Sequence, residues 1–124
     1  MSTNNDAIKY CQAMDGYSCY DGVIAQGSTQ ATAFRVQGQY TRVVGGAAAS
    51  GIILPAIGTG EMTAGKYMIS NDGPNAIRVY CAAGENHNGS SNAFLSIPAG
   101  QTGVFYPVPN HHGGTLNWTS AILA

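Results

Sequence analysis

From residue 65 onward the chain repeats one unit, a short apolar strand followed by a turn built from Asn, Asp, Gly or Pro. The run reads AGKYMIS-NDGPN-AIRVYCA-AGENHNGSSN-AFLSIP-AGQ-TGVFYPV-PNHHGG-TLNWTSAIL. Short strands at such even spacing predict an antiparallel sandwich or barrel. The strand and turn lengths vary, which favours two packed sheets over a closed barrel. The turns have a mechanical basis: Gly tolerates positive φ, Pro fixes φ, and Asn and Asp bond their own backbone. No cluster of acids, histidines or cysteines interrupts the pattern, so function is expected on a surface rather than at a reaction centre.

Upstream, residues 31–36 alternate, with Thr32, Phe34 and Val36 on one face, and residues 40–44 follow after Gln37-Gly38. Ile52-Ile53-Leu54, closed by Pro55, reads as a strand buried on both faces. Residues 17–30 read as an extended connector with one short strand at 22–25. The expected fold is all-β, an antiparallel β-sandwich, jelly-roll-like with about eight strands, over residues 31–124. Its core is expected to comprise Phe34, Val36, Ile53, Ile69, Ile77, Val79, Leu95, Ile97, Val104, Leu116 and Trp118. Residues 1–30 form an N-terminal arm with a short helix over 1–16. There Thr3 and Asp6 have capping spacing, Ala7, Ile8, Cys11 and Met14 share a face, and Gly16 ends the run.

Composition narrows the function classes. The 124 residues suit one domain. Charged residues make up 9% of them, against roughly 25% in ordinary soluble domains. A surface so poor in charge lacks the repulsion that keeps monomers apart. Five Lys and Arg in total leave no basic patch, so nucleic acid is not an expected partner. No stretch approaches the ~20 apolar residues of a membrane helix, so no membrane partner is expected either. The first residues carry no basic start followed by an apolar run, and the three cysteines follow no zinc spacing. A chain made and kept in a reducing cytoplasm fits these features. Cys81 reads as a buried free thiol, and a Cys11–Cys19 bridge is geometrically open.

The chemistry-bearing residues do not assemble in sequence. His87 and the His111-His112 pair invite a metal, yet no acid or thiol lies near 111–112 to complete a site, and all three read as exposed loop histidines. The six acids show no paired spacing. No nucleophile elbow is present, and GTGEMTAG lacks the ending and following helix of a phosphate loop. No catalytic residue, cofactor or metal is expected. Tyrosine joins rigid contact area to a polar tip, which suits interfaces. Tyr10, Tyr17, Tyr20 and Tyr40 lie where the core pattern is weakest, beside Ile8 and Met14 of the helical stripe. These six form the expected subunit or capsid interface; for the tyrosines the alternative is that they cover the open end of the sheet. Open strand edges and scarce charge predict a homo-oligomer, a trimer.

Several phrases also carry a resemblance. Ile52-Ile53-Leu54-Pro55, AGKYMISNDGPNAIRVYCAAGE, LSIPAGQTGVFYPV and the Gly-rich turn before Leu116-Asn117-Trp118 span roughly residues 50–124. In these phrases the chain resembles head decoration (cement) proteins of tailed bacteriophages. The resemblance implies a virion protein, made in the host bacterium, that binds the major capsid protein on the outer surface of the head and stabilises the lattice. A tail or fibre component, or a sugar-binding lectin-like module, is the alternative. Residues 1–30 carry none of the resemblance.

Overall fold

A computed structural model of the chain describes residues 19–58, 65–108 and 116–123. The expected helix over 1–16 lies outside them. Among the described residues there are eleven strands, against the eight expected, and they form two sheets. The strands are β1 (Cys19–Ile24), β2 (Phe34–Arg35), β3 (Tyr40–Gly45), β4 (Ser50–Ile53), β5 (Tyr67–Asn71), β6 (Ile77–Tyr80), β7 (Asn86–His87), β8 (Ser90–Ser91), β9 (Phe94–Ile97), β10 (Thr102–Pro107) and β11 (Asn117–Leu123). The larger sheet has the order β1-β3-β5-β10-β11-β7-β8, and the smaller β2-β4-β6-β9.

The all-β expectation holds; the antiparallel one does not. Five of the nine strand pairings are parallel. From β1 to β6 the chain changes sheet after every strand, so it re-enters each sheet running the same way. A parallel neighbour needs a long crossover, and here a strand of the opposite sheet supplies it in place of a helix. This winding departs from the antiparallel order of a jelly roll. The direction reverses only after the β7–β8 hairpin. Then β9 lies antiparallel to β6, β10 to β5, and β11 to β10.

Local chemistry explains several boundaries. Residues 31–36 do not form one strand. Gln30–Thr32 make a 3-10 turn, closed by Thr32 N donating to Thr29 O at 3.2 Å, and only Phe34–Arg35 pair with β4. In β1, Gly22 sits at φ +75° and the pairing with β3 shifts register between Tyr20 and Val23. That bulge starts the strand three residues earlier than expected and re-aims its second half. Asn88 and Gly89, both at positive φ, make the two-residue turn between β7 and β8, the backbone geometry that Asn-Gly favours.

The core lies between the sheets. Val43, Ile52, Ile69, Val79, Ile97, Phe105 and Trp118 are fully buried there, and Phe34, Val36 and Leu95 pack against its margin. Three expected core members are displaced. In β10 the inward residues are Gly103 and Phe105, opposite Ile69 and Tyr67, while Val104 is half-buried and Tyr106 exposed. Either phase of TGVFYP alternates; the β5 partner selects the one that buries the wholly apolar Phe105 ring and leaves the Tyr106 hydroxyl outside. Gly103 is required there, because a Cβ would come within 2.9 Å of Ile97 and of the Phe105 ring. Leu116 precedes β11 and is exposed, and Ile53 sits on the outer face between Arg35 and Tyr80.

Candidate interaction surface

The outer faces of the two sheets differ. On the smaller sheet the outward row is Arg35, Ile53, Tyr80 and Phe94. The connection from β1 to β2 folds back over part of it. Gln26 and Gly51 exchange two backbone hydrogen bonds at 3.0 Å, the Tyr80 hydroxyl donates to Ser28 O at 3.3 Å, and Gln30 Nε2 donates to Cys81 O at 2.6 Å. Gly51 lets this loop close, since a Cβ would stand 2.9 Å from Ala33 Cβ and 3.0 Å from the Tyr80 ring. Tyr80, although it points outward, is therefore buried. Phe94 stays exposed, edge-on to Tyr80, with the Arg78 guanidinium 4.6 Å from its ring centre. Beside the loop, two shallow hollows of about 350 and 280 Å³ share Arg35, Ile53 and Leu54 in their walls.

The larger sheet carries a different outer face. The registers of β3, β5, β10 and β11 align Tyr40, Met68, Val104 and Ala121 in one row across four strands. On one side stand Ser70 and Thr102, with the Tyr40 hydroxyl donating to Ser70 Oγ at 2.9 Å and Ser70 Oγ 2.8 Å from Thr102 Oγ1. On the other side stand Tyr106 and Thr119. Arg42 is the single charged side chain in these four strands. It is clasped by Asp21 at 3.0 Å and Asp72 at 2.6 Å, and these two hydrogen bonds raise its pKa further. The face is therefore rich in hydroxyl and apolar groups, and its one strand-borne cation is held between two carboxylates, which leave the clasp with a net charge of -1.

Of the six expected interface residues, Tyr20 and Tyr40 lie among the described residues, and they project from opposite faces of the larger sheet. Ile8, Tyr10, Met14 and Tyr17 lie outside the described residues. Tyr20 is exposed and stacks on Phe34 with ring centres 6.2 Å apart, bridging the edge strands of the two sheets. It closes the open end of the sandwich. Tyr40 pairs with Cys19, the neighbour of Tyr20, and so projects from the opposite face of the same sheet.

The buried polar groups correct the reading of His87. It is not a loop histidine: β7 carries it inward, where it is 3% exposed. Its Nε2 lies 2.5 Å from Ser120 Oγ, and its ring meets Phe105 edge-on at 5.8 Å. Burial pushes its pKa down to about 4, leaving a neutral imidazole at pH 7. Nδ1 makes no hydrogen bond of good geometry. The His87–Ser120 pair latches the β7–β8 hairpin to β11, helped by Asn88 Oδ1 accepting from Ser120 N at 2.9 Å. Nearby, Glu85 Oε2 accepts from Ile57 N at 2.8 Å and Gly58 N at 3.0 Å, strapping the segment after β4 to the β6–β7 connection.

Cys81 is buried as expected. Its thiol donates to Glu85 O at 3.3 Å, and burial, aided by the Glu85 charge, lifts its pKa to about 11, which makes it unreactive. Cys19 opens β1, half-buried. His111 and His112 lie outside the described residues. Among the described residues, no three His, Cys, Asp or Glu side chains stand together as metal ligands, and no helix is long and apolar enough to cross a membrane. Neither the Glu85 strap nor the Asp21–Arg42–Asp72 clasp has a sequence signal, because each joins isolated residues far apart in the chain. The Asn88-Gly89 dipeptide, a two-residue hairpin signal, is the cue that could have found the β7–β8 hairpin positioning His87, a segment that the sequence pattern presents as one turn. Compared with protein-family models, with curated proteins and with solved structures, the chain matches none.

Proposed function

We propose that this chain is a decoration (cement) protein of a tailed-bacteriophage head. In this reading it binds the major capsid protein on the outer surface of the virion and acts as a homo-oligomer, by adhesion and without catalysis or a cofactor. The observation that carries the reading is the outer face of the larger sheet, rich in hydroxyl and apolar groups, whose single strand-borne cation, Arg42, is held by Asp21 and Asp72. The strand-and-turn phrases of residues 50–124 support it as well. A protein that binds only the assembled lattice shifts the equilibrium away from disassembly by mass action, so adhesion alone suffices for the role.

The test is addition of purified protein to expanded heads that lack it. Saturable binding, with hundreds of copies per particle and a higher temperature of head rupture, is the expected result. Recovery of only a handful of copies, with the tail, would favour the tail reading. Absence of binding to the head would overturn the proposal.

A further inference from the structure

The β7–β8 turn holds the only Asn-Gly step in the chain, Asn88-Gly89. Both residues are exposed, at φ +49° and +85°. Asparagine is chemically labile, and most so before glycine, where no side chain shields the next backbone nitrogen. That nitrogen can attack the side-chain amide carbon and close a five-membered succinimide. Here the groups that the reaction needs are all engaged. Gly89 N donates to Asn117 Oδ1 at 2.9 Å. The Asn88 amide reaches across to β11, where Oδ1 accepts from Ser120 N at 2.9 Å and Nδ2 donates to Ser120 Oγ at 3.1 Å. Asn117, which accepts from Gly89, is itself fully buried.

We propose that Asn88 is a site of spontaneous deamidation, and that docking of the β7–β8 hairpin on β11 controls its rate. With the hairpin docked, the amide carbon is held toward Ser120 and the Gly89 nitrogen toward Asn117, so the two do not meet. When the hairpin lifts, these bonds open together and the turn is free to close the ring. β8 is exposed along its length and forms the edge of the sheet, the kind of element that opens well before a whole domain does. In the step itself Gly89 N forms a bond to Asn88 Cγ, the Cγ–Nδ2 bond breaks, and ammonia leaves with the amide proton. Water then opens the succinimide at either carbonyl, giving an aspartyl or an isoaspartyl residue. Water is the sole co-reactant, and the exposed turn is open to it.

The product does not dock as before. A carboxylate cannot donate to Ser120 Oγ, and its new charge faces the Ser120 carbonyl, which lies 3.4 Å from the present Nδ2. The isoaspartyl form adds a methylene to the main chain, which breaks the register of Asn86 with Ser91 and of His87 with Ser90. His87 then loses its place against Ser120. Deamidation is thus a one-way release of the hairpin, separate from the adhesive role proposed above.

Peptide mapping by mass spectrometry of the full chain, incubated in mildly alkaline buffer, tests this. Asn88 is expected to convert ahead of the other asparagines when the protein is unfolded in urea, and about tenfold or more slowly when it is folded. Asn117→Ala, which frees the Gly89 nitrogen, and Ser120→Ala, which loosens the amide, are each expected to speed conversion severalfold in the folded state. Gly51→Ala lies in the other sheet and is expected to leave the folded rate unchanged. Asn88→Asp, chemically the same as the aspartyl product, is expected to raise hydrogen exchange over residues 86–91 with an unchanged circular dichroism spectrum. A different asparagine converting first, equal rates in folded and unfolded protein, or acceleration in neither variant would each overturn the inference. Equal acceleration by Gly51→Ala, or unchanged exchange in Asn88→Asp, would overturn it as well.

Discussion

The two halves of the molecule are built by different means. From β1 to β6 the chain winds between the sheets, and its interior contacts are mostly aliphatic: Val23, Val43, Ile52, Ile69, Ile77 and Val79. From β7 to β11 it doubles back in hairpins, and buries polar groups beside the rings of Phe105 and Trp118. Among the described residues, five buried side-chain polar atoms without partners lie between Glu85 and Thr119, against two, on Asp21 and Thr41, in the wound half. A buried polar atom left unpaired costs about 1–3 kcal/mol. The wound half is therefore governed by shape, and the hairpin half by a balance between ring packing and polar strain. Shape responds little to pH; buried imidazole responds strongly.

Phe105→Ala should expose that difference most sharply. The ring is fully buried against His87, and its loss should cost about 3–5 kcal/mol in urea unfolding. A loss below about 1 kcal/mol would mean that the hairpin half closes over the void and is softer than described.

Acid should separate the halves next. The folded pKa of His87, about 4, lies below its ordinary 6.5, so between these values the unfolded chain binds a proton that the folded chain refuses. Stability is thus complete above pH 6.5 and is lost as pH falls toward 4, by on the order of 3 kcal/mol in all. Urea midpoints measured across that window should fall for wild type and stay flatter for His87→Gln. Parallel profiles for the two would remove His87 as the cause.

Gly51→Ala probes the wound half. The added methyl meets Ala33 and Tyr80 at about 3 Å, and the overpacking should cost about 1–3 kcal/mol. Hydrogen exchange should accelerate over residues 25–33, whose loop is displaced, while residues 86–91 stay protected. The smallest effect belongs to Asp72→Asn. Asp72 is 44% exposed in its pair with Arg42, so the change should be worth about 0.2–1 kcal/mol and fade in high salt. A salt-independent loss would mean that the clasp acts through packing.

How much could be read in advance follows the same division. Alternation identified the strands and the inward faces at Ile69, Ile77, Val79 and Ile97, because period-two burial is a local property of the chain. It did not show that neighbours run parallel, since direction depends on which sheet a strand enters and no residue encodes that alone. It also chose the wrong phase at Val104, where β5 decides. Of the candidate site, Tyr20 stood in the sequence only as one of four tyrosines open between an interface and the cover of the sheet's open end. The outer face of the larger sheet was not legible, because it exists only once Tyr40, Met68, Val104 and Ala121, from four separate strands, fall into register.

The alternation between sheets bears on how the chain folds. In the wound half no two successive strands pair, so each ladder must close a long loop before any hydrogen bond rewards it. The β10–β11 and β7–β8 hairpins close far shorter loops, and hairpins of this kind form in about 1–10 μs in isolation. The C-terminal hairpins are therefore the expected nucleus, and docking of β1 to β6 the slow step, on the millisecond-to-second scale of topologies with distant contacts. Stopped-flow measurements on Ile52→Val and Ala121→Gly would read this order directly: the first should mainly hasten unfolding, the second mainly slow folding. On a ribosome the early strands would emerge first and wait, exposed, for the last ones to arrive.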